Sequence, residues 1–371
     1  MPPAQVRATE LDAMRTLAVV LMAGSHVTRI IKSSARDAWC APALLSDPLI
    51  QGLFMSLVGA SLAWSWQNAQ ARGLDRGAWL RARLRRAGLV YLVGVLLFLF
   101  DKGAQLPWLF LAPGILADIA LAIVLFSLVA SSRRPVLGAL SLSALGYGAL
   151  ALLTATGTEI MLPPINAANA PLLPNTAITG IGLAAGIGLV RGDRRLLAGL
   201  GLGGLLLLGG ALSQASPAAL LGDELGRSFS TIVYRGEGHG LQNTWGMITG
   251  AELTDNAVEY FNPTLAGQPF VLGMLVVLWL LFRALRPVLC RVEGWLLLPG
   301  RHSLGVYVFH LLLVGLPVAV VGRSKPLREL WIANGYMLFV LVAVWAFSAV
   351  RQWQGRRRSA GLPGGPRATR W

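Results

Sequence analysis

The chain has 371 residues, of which 55% are apolar and only 13% charged, with 43 glycines and a formal net charge of +15. Soluble domains carry roughly a quarter charged residues, so this composition excludes a water-soluble globule, and with it a disordered, collagenous or disulfide-stapled secreted chain. The charge arises from 32 Lys and Arg against 17 Asp and Glu; the basic residues stand between apolar runs, where they set orientation in a bilayer instead of forming a nucleic-acid surface.

Many apolar runs reach about 18 residues, enough to cross roughly 30 Å of hydrocarbon as a helix. Ten spans are predicted, at about 12–31, 49–66, 87–104, 110–130, 136–156, 174–191, 196–213, 268–286, 300–321 and 331–350. The expected fold is all-α: a polytopic integral membrane protein with both termini cytoplasmic. Orientation follows from the arginines, since cytoplasmic connections carry the excess of positive charge. Alternate connections hold Arg72, Arg76, Arg81, Arg83, Arg85 and Arg86; Arg133 and Arg134; Arg191, Arg194 and Arg195; Arg283, Arg286 and Arg291; and the tail after Arg351. The opening residues are polar and lack a short apolar core with a small-residue cleavage site, so no cleavable signal peptide is expected. Residues 1–350 are expected to form a single transmembrane domain that includes one long outer loop, 214–267, followed by a basic cytoplasmic tail, 351–371.

In chain order, the first span is the most unusual. ELDAMRTLAVVLMAGSHVTR carries Glu10, Asp12, Arg15, His26 and Arg29, and ionisable groups within a span cost at least a few kcal/mol each unless partnered or functional. From Arg15 to His26 an α-helix makes about three turns plus roughly 20° and rises about 16 Å, so the two share a face. A buried imidazole bonded to a neighbouring helix for packing is the alternative reading. Residues 67–86 form a basic segment whose second half reads as an interfacial helix, with Trp79 and Leu80 toward lipid. Within it, Arg81, Arg83, Arg85 and Arg86 crowd the entrance of the third span; paired guanidinium donors suit phosphates, while positive-inside anchoring on anionic lipid explains the same cluster.

Asp118 is a carboxylate inside the fourth span. The glycine-rich run near 180–210 mimics a dinucleotide fingerprint but lacks the strand and the following acid, so close helix packing accounts for it better. The outer loop is rich in aromatics, which argues for order. Opening the ninth span, Ser303, Tyr307 and His310 are spaced four and three apart and fall on one helical face, as a packing seam or as part of a site. Cys40 and Cys290 fall on opposite sides in this topology and carry no redox argument. HExxH, CxxC, P-loop and GxSxG patterns are absent, and His239 with scattered acids is weak evidence for a metal, so none is expected.

Glu10-Leu-Asp-Ala-Met-Arg15 followed by His26, the stretch GLFMSLVGASLAWSW, the pair Arg83 and Arg86, GILADIALAIV, and Gly300 to His310 with its Ser-Leu-x-x-Tyr-x-x-His pattern together resemble the integral membrane acyltransferases of family 3 and the related heparan-α-glucosaminide N-acetyltransferases. The resemblance covers about the first 130 residues and the last hundred. It implies an acyltransferase that moves an acyl group, most often acetyl, from cytoplasmic acyl-CoA to a saccharide or glycan hydroxyl or amine on the outer side, in a bacterial inner membrane. It also implies site roles: His26 as general base, Arg15 stabilising negative charge or holding the donor, Arg83 and Arg86 binding the CoA phosphates, and Asp118, Ser303, Tyr307 and His310 contacting substrate. A transporter or flippase for a lipid-linked sugar or small polar substrate is the competing class, because intramembrane Arg and His also line transport paths; no matching halves with broken helices are evident.

Overall fold

Each of the ten predicted spans holds helix among the described residues of the computed structural model, with breaks inside 110–130, 268–286 and 300–321. The structure describes residues 9–29, 40–102, 108–111, 114–155, 172–214, 232–234, 260–262, 267–321 and 329–360. The elements in order are α1 (Thr9–Arg29), α2 (Cys40–Ala71), α3 (Arg76–Lys102), α4 (Trp108–Leu111), α5 (Ile115–Ala130), α6 (Pro135–Ala155), α7 (Leu172–Arg191), α8 (Arg194–Gln214), β1 (Ile232–Tyr234), β2 (Tyr260–Asn262), α9 (Gly267–Ala284), α10 (Arg286–Val292), α11 (Leu298–Arg301), α12 (Ser303–Val321) and α13 (Leu330–Ala360). The regular elements among the described residues are therefore helices apart from one short antiparallel ladder, which pairs Ile232 with Asn262 and Tyr234 with Tyr260. Most of the outer loop, with His239, lies outside the described residues, as do the side chains of Arg29 and Cys40 and the end of the basic tail beyond residue 360.

By length and hydropathy, Leu49–Ala71 within α2 and Trp331–Arg357 within α13 are each sufficient to cross a membrane, and α9 with α10 adds a third if the bent pair is one span; Ile115–Ala130, Pro135–Ala149 and Ser303–Pro317 are shorter apolar helices. The distribution of side chains fits lipid. Leu145, Leu152, Leu206, Leu312, Val320 and Leu338 are exposed, whereas Asp12, Asp118, Asn175, Thr179, His310 and Ser348 are buried. A water-soluble fold hides its leucines; a bundle in hydrocarbon gains nothing by doing so and must instead turn polar groups inward.

The chain divides into two compact units. In the first, Asp47–Leu280, α3 packs along α5 and α6 along α7. Two of its turns share one solution: Gly73 and Gly192 both adopt φ +67°, ending α2 and α7, and an aspartate then accepts from the first turn of the next helix, Asp75 from the Ala78 N–H and Asp193 from the Leu196 N–H, each at 3.0 Å. Such a glycine stop and Asx cap make each break short. Where α2 meets α7, a Cβ on Gly182 would lie 2.2 Å from the Ser56 carbonyl oxygen and one on Gly59 2.2 Å from that of Thr179. Only glycine permits this approach, so the first part of the glycine-rich run serves helix packing as its composition implies. Trp79 departs from expectation. It is fully buried, its indole N–H donates to Ser65 Oγ at 2.9 Å and its ring tilts onto Trp66; the indole finds its polar partner inside the protein and has no need of the lipid headgroups.

The second unit comprises Val6–Ser46 and Leu281–Trp371. Here α1 packs against α11, α12 and α13. Val19, Val306 and Val344 form one buried cluster with Phe309, Trp345 and Phe347 around it, and Ala23, Val27, Val314, Ala333 and Val340 form another. The joint between α1 and α11 is tight. The Gly300 N–H donates to Thr16 Oγ1 at 3.1 Å, and that hydroxyl donates to the Asp12 carbonyl oxygen at 2.9 Å.

Candidate functional site

In the second unit α1 is built as a polar stripe on an apolar helix. At its first turns Asp12 is the hub. Arg15 lies one turn on, and its guanidinium donates to Asp12 Oδ1 at 2.8 Å; Arg301, from the end of α11, approaches Asp12 Oδ2 at 3.7 Å and Glu293 at 3.7 Å. Arg286 lies 3.5 Å from Glu10, and Thr9 donates to Glu293 at 3.1 Å. The contacts at 3.5–3.7 Å are Coulombic and not hydrogen bonds. Each acid of α1 thus has a cation from a later helix, which is how a charged helix start is tolerated in an apolar bundle.

Three turns further along, His26 meets His310 of α12. Their Nδ1 and Nε2 atoms are 2.8 Å apart. The rings lie within 6° of parallel with centroids 5.0 Å apart, a separation equal to one N···N hydrogen bond plus two ring radii. The two imidazoles are therefore coplanar and edge to edge, which a face-to-face stack is not. His310 is fully buried, its Nδ1 lies 3.2 Å from the Val306 carbonyl oxygen, and the Tyr307 ring stands edge-on to it at 5.5 Å. His26 is half-buried. Ser303 heads α12, also half-buried, on the face the spacing places it with Tyr307 and His310. The structure thus brings His26, Tyr307 and His310 together, and engages Arg15 with Asp12 at the other end of the same helix.

In the first unit Arg83 is half-buried and Arg86 exposed, one turn apart on α3 ahead of its apolar stretch. The Arg83 guanidinium stands 5.9 Å from the Trp79 ring centroid. Burial, and then the neighbouring Arg86 charge, pull its pKa below the ordinary arginine value. Two guanidiniums this close favour a multivalent anion, because a shared counter-charge relieves their repulsion. Asp118, on α5, is buried with both oxygens lacking a hydrogen-bond partner among the described residues, and so is Asn175 on α7 at both side-chain polar atoms.

Sequence reasoning missed four features. Asn175, the Thr16–Gly300 joint and the bridging of Asp12 and Glu293 by Arg301 each depend on a contact between distant segments. The direct pairing of His26 with His310 was also unforeseen, although two histidines in apolar spans needing polar partners was a usable signal. Among the described residues no group of three or more His, Cys, Asp or Glu is arranged to hold a metal.

Residues 7–200 match the family model described as "Heparan-alpha-glucosaminide N-acetyltransferase, catalytic". No curated protein matches the chain significantly.

Proposed function

The chain belongs to that catalytic family, and on this premise we propose that it is a membrane-embedded acetyltransferase that moves the acetyl group of cytoplasmic acetyl-CoA to an amine or hydroxyl of a glycan on the outer side. The observation that carries the reading is the ring of His26: an imidazole in the last turn of α1, inside the matched region, held by a 2.8 Å hydrogen bond. Imidazole is the side chain best suited to exchange a proton near neutral pH.

In this reading His26 is the general base. It removes the proton from the acceptor nitrogen or oxygen as that atom attacks the thioester carbonyl, and returns a proton to the departing thiolate, leaving the acetylated acceptor and free CoA. The donor supplies the activated carbonyl; the chain supplies binding and proton transfer. Arg83 and Arg86 hold the CoA phosphates, and their mutual proximity fits a diphosphate. Arg15 contributes positive charge at the inner end of α1, tempered by Asp12. Asp118, Tyr307 and Ser303 contact the acceptor. Ten spans cross a bacterial inner membrane with both termini in the cytoplasm, a reading that the arginine distribution supports. Kinship with the family 3 acyltransferases extends this reading through the Arg15–His26 spacing and the Ser303–His310 pattern.

The test is transfer of labelled acetyl from acetyl-CoA to a glucosamine-terminated oligosaccharide by the purified protein in vesicles. Acetylated acceptor is expected from the wild type and none from His26→Ala inserted and folded equally well. Transfer by His26→Ala at the wild-type rate refutes the base assignment. Acceptor crossing the vesicle membrane without acetyl-CoA, and with no acetylation, establishes the transporter class instead.

A further inference from the structure

We propose that His310 is a positioning residue for His26, selecting the tautomer in which the basic lone pair of His26 sits on Nε2. The inference rests on the general-base reading of His26 and assigns to His310 a role other than substrate contact.

A hydrogen bond between two ring nitrogens contains one proton, so one ring donates and the other accepts. The far side of His310 decides which. Its Nδ1 lies 3.2 Å from the Val306 carbonyl oxygen, and a carbonyl only accepts; Nδ1 therefore carries hydrogen. A neutral imidazole has a single N–H, which leaves the lone pair of His310 on Nε2, facing His26. Across the 2.8 Å contact, His26 Nδ1 must then be the donor. The remaining nitrogen of His26, Nε2, holds the lone pair.

The alternative is a doubly protonated His310 donating to His26. That ring has no solvent exposure and lies between Val306 and Val314, one turn to either side on α12 and both buried. A charge there has no bulk solvent, and among the described residues no carboxylate pairs with it; burial of an uncompensated charge is strongly disfavoured. The neutral ring is the consistent state. Coplanarity within 6° points the His26 N–H along the lone pair of His310, and the edge-on Tyr307 ring limits rotation of the acceptor.

The arrangement has a consequence for the reaction. When His26 Nε2 takes the acceptor's proton, Nδ1 keeps its own, and the new imidazolium is already hydrogen-bonded to an acceptor without any ring rotation. Removing that acceptor frees His26 to flip or to change tautomer, which lowers turnover and leaves substrate affinity unchanged.

The test compares His310→Leu, which fills space but accepts nothing, with His310→Gln, whose side-chain carbonyl can accept from His26 Nδ1. Expected is a fall in kcat of about 10²-fold or more for the Leu variant with both KM values unchanged, as when a catalytic histidine loses its orienting partner, and recovery to within about tenfold of wild type in the Gln variant. The chain has only four histidines, so nitrogen NMR of the histidine-labelled, detergent-purified wild type gives an independent readout: His26 must show a protonated Nδ1 and an unprotonated Nε2. A reversed pattern overturns the inference even if the Leu variant fails to fold. So does a Leu variant with wild-type kcat, or Leu and Gln variants that raise the acceptor KM equally, which would make His310 a substrate contact. An inactive His26→Ala together with a fully active His310→Leu removes only the positioning role; an active His26→Ala removes the base reading itself.

Discussion

Gly300→Ala is expected to damage catalysis from a position that touches no reacting group. A Cβ at Gly300 would stand 2.2 Å from the Asp12 carbonyl oxygen and 2.7 Å from Thr16 Oγ1. Real Cβ atoms do not approach closer than 3.0 Å, so α11 and α1 must part by at least 0.8 Å at this point. Both obstacles are fixed, one being backbone and the other a hydroxyl that donates to that same backbone oxygen. Forced expansion of a tight contact costs about 1–3 kcal/mol. The buried hydrogen bond from the Gly300 N–H to Thr16, 3.1 Å long, stretches beyond useful range, which adds about 1–3 kcal/mol. The total is about 2–6 kcal/mol. The shift is also passed to α12, which starts two residues after α11 ends and carries His310. The 2.8 Å bond to His26 has only a few tenths of an ångström to spare before it weakens, and misplacement near 1 Å can cost about 10²-fold in rate. Thermal unfolding in detergent and acetyl transfer in vesicles should both respond, with a lower midpoint and kcat reduced about 10–100-fold. Gly294→Ala is the control, since a Cβ there meets nothing within 4 Å. A Gly300→Ala protein with the midpoint and turnover of the control refutes the claim that this joint holds the two imidazoles in register.

Arg301→Ala should lower the unfolding midpoint by an amount equivalent to about 2–3 kcal/mol, less than the usual 3–5 for a broken buried pair because Arg15 still neutralises Asp12; an unchanged midpoint would show the bridge to be idle. Asp118→Leu should raise the midpoint while reducing acetyl transfer, since it removes two buried oxygens without hydrogen-bond partners among the described residues; a destabilised, fully active variant would mean that Asp118 is structural. Replacing Arg83 and Arg86 together by Gln should raise the KM for acetyl-CoA about tenfold or more and leave that for the acceptor unchanged, as steady-state kinetics would reveal; an unaltered donor KM would return both arginines to topology and lipid anchoring.

The helices were legible because hydrophobic length is a signal carried by every residue of a span. Each predicted span holds helix among the described residues, although only two helices, or three spans if the bent pair is one, are long and apolar enough to cross a membrane; the glycine and aspartate turns at Gly73–Asp75 and Gly192–Asp193 sharpen two helix ends. What the pattern could not give was the inner face of each helix. Hydropathy assigns Trp79 to the bilayer surface, because an indole beside arginines is characteristic of that position, yet a hydroxyl at Ser65 satisfies it within the bundle. The same limit applies to Asp118 and Asn175. Their cost in an apolar setting is readable from type and location, but the absence of a partner among the described residues emerges only when the neighbouring helices are in place.

The candidate site divides along similar lines. Arg15 and His26 were visible as a stripe because they lie on one helix, where geometry follows from spacing alone; Ser303, Tyr307 and His310 were visible for the same reason. The paired imidazoles arise from joining the two stripes, and 284 residues separate the histidines that meet. Here the local pattern is informative after the fact. A helix that must bring an imidazole to within hydrogen-bonding distance of another helix needs small residues where the backbones converge, and Gly300 lies tight against Asp12 and Thr16. Thr16 Oγ1 accepts from the Gly300 N–H and its hydroxyl donates to the Asp12 carbonyl oxygen, so the joint is satisfied without water. The ionic hub around Asp12 then fixes the rotation of α1 about its axis, and that rotation sets where His26 points three turns later. On this argument the charges at the base of α1 act on the imidazole through rigid helix geometry, and their removal should disturb His26 orientation even where acetyl-CoA still binds.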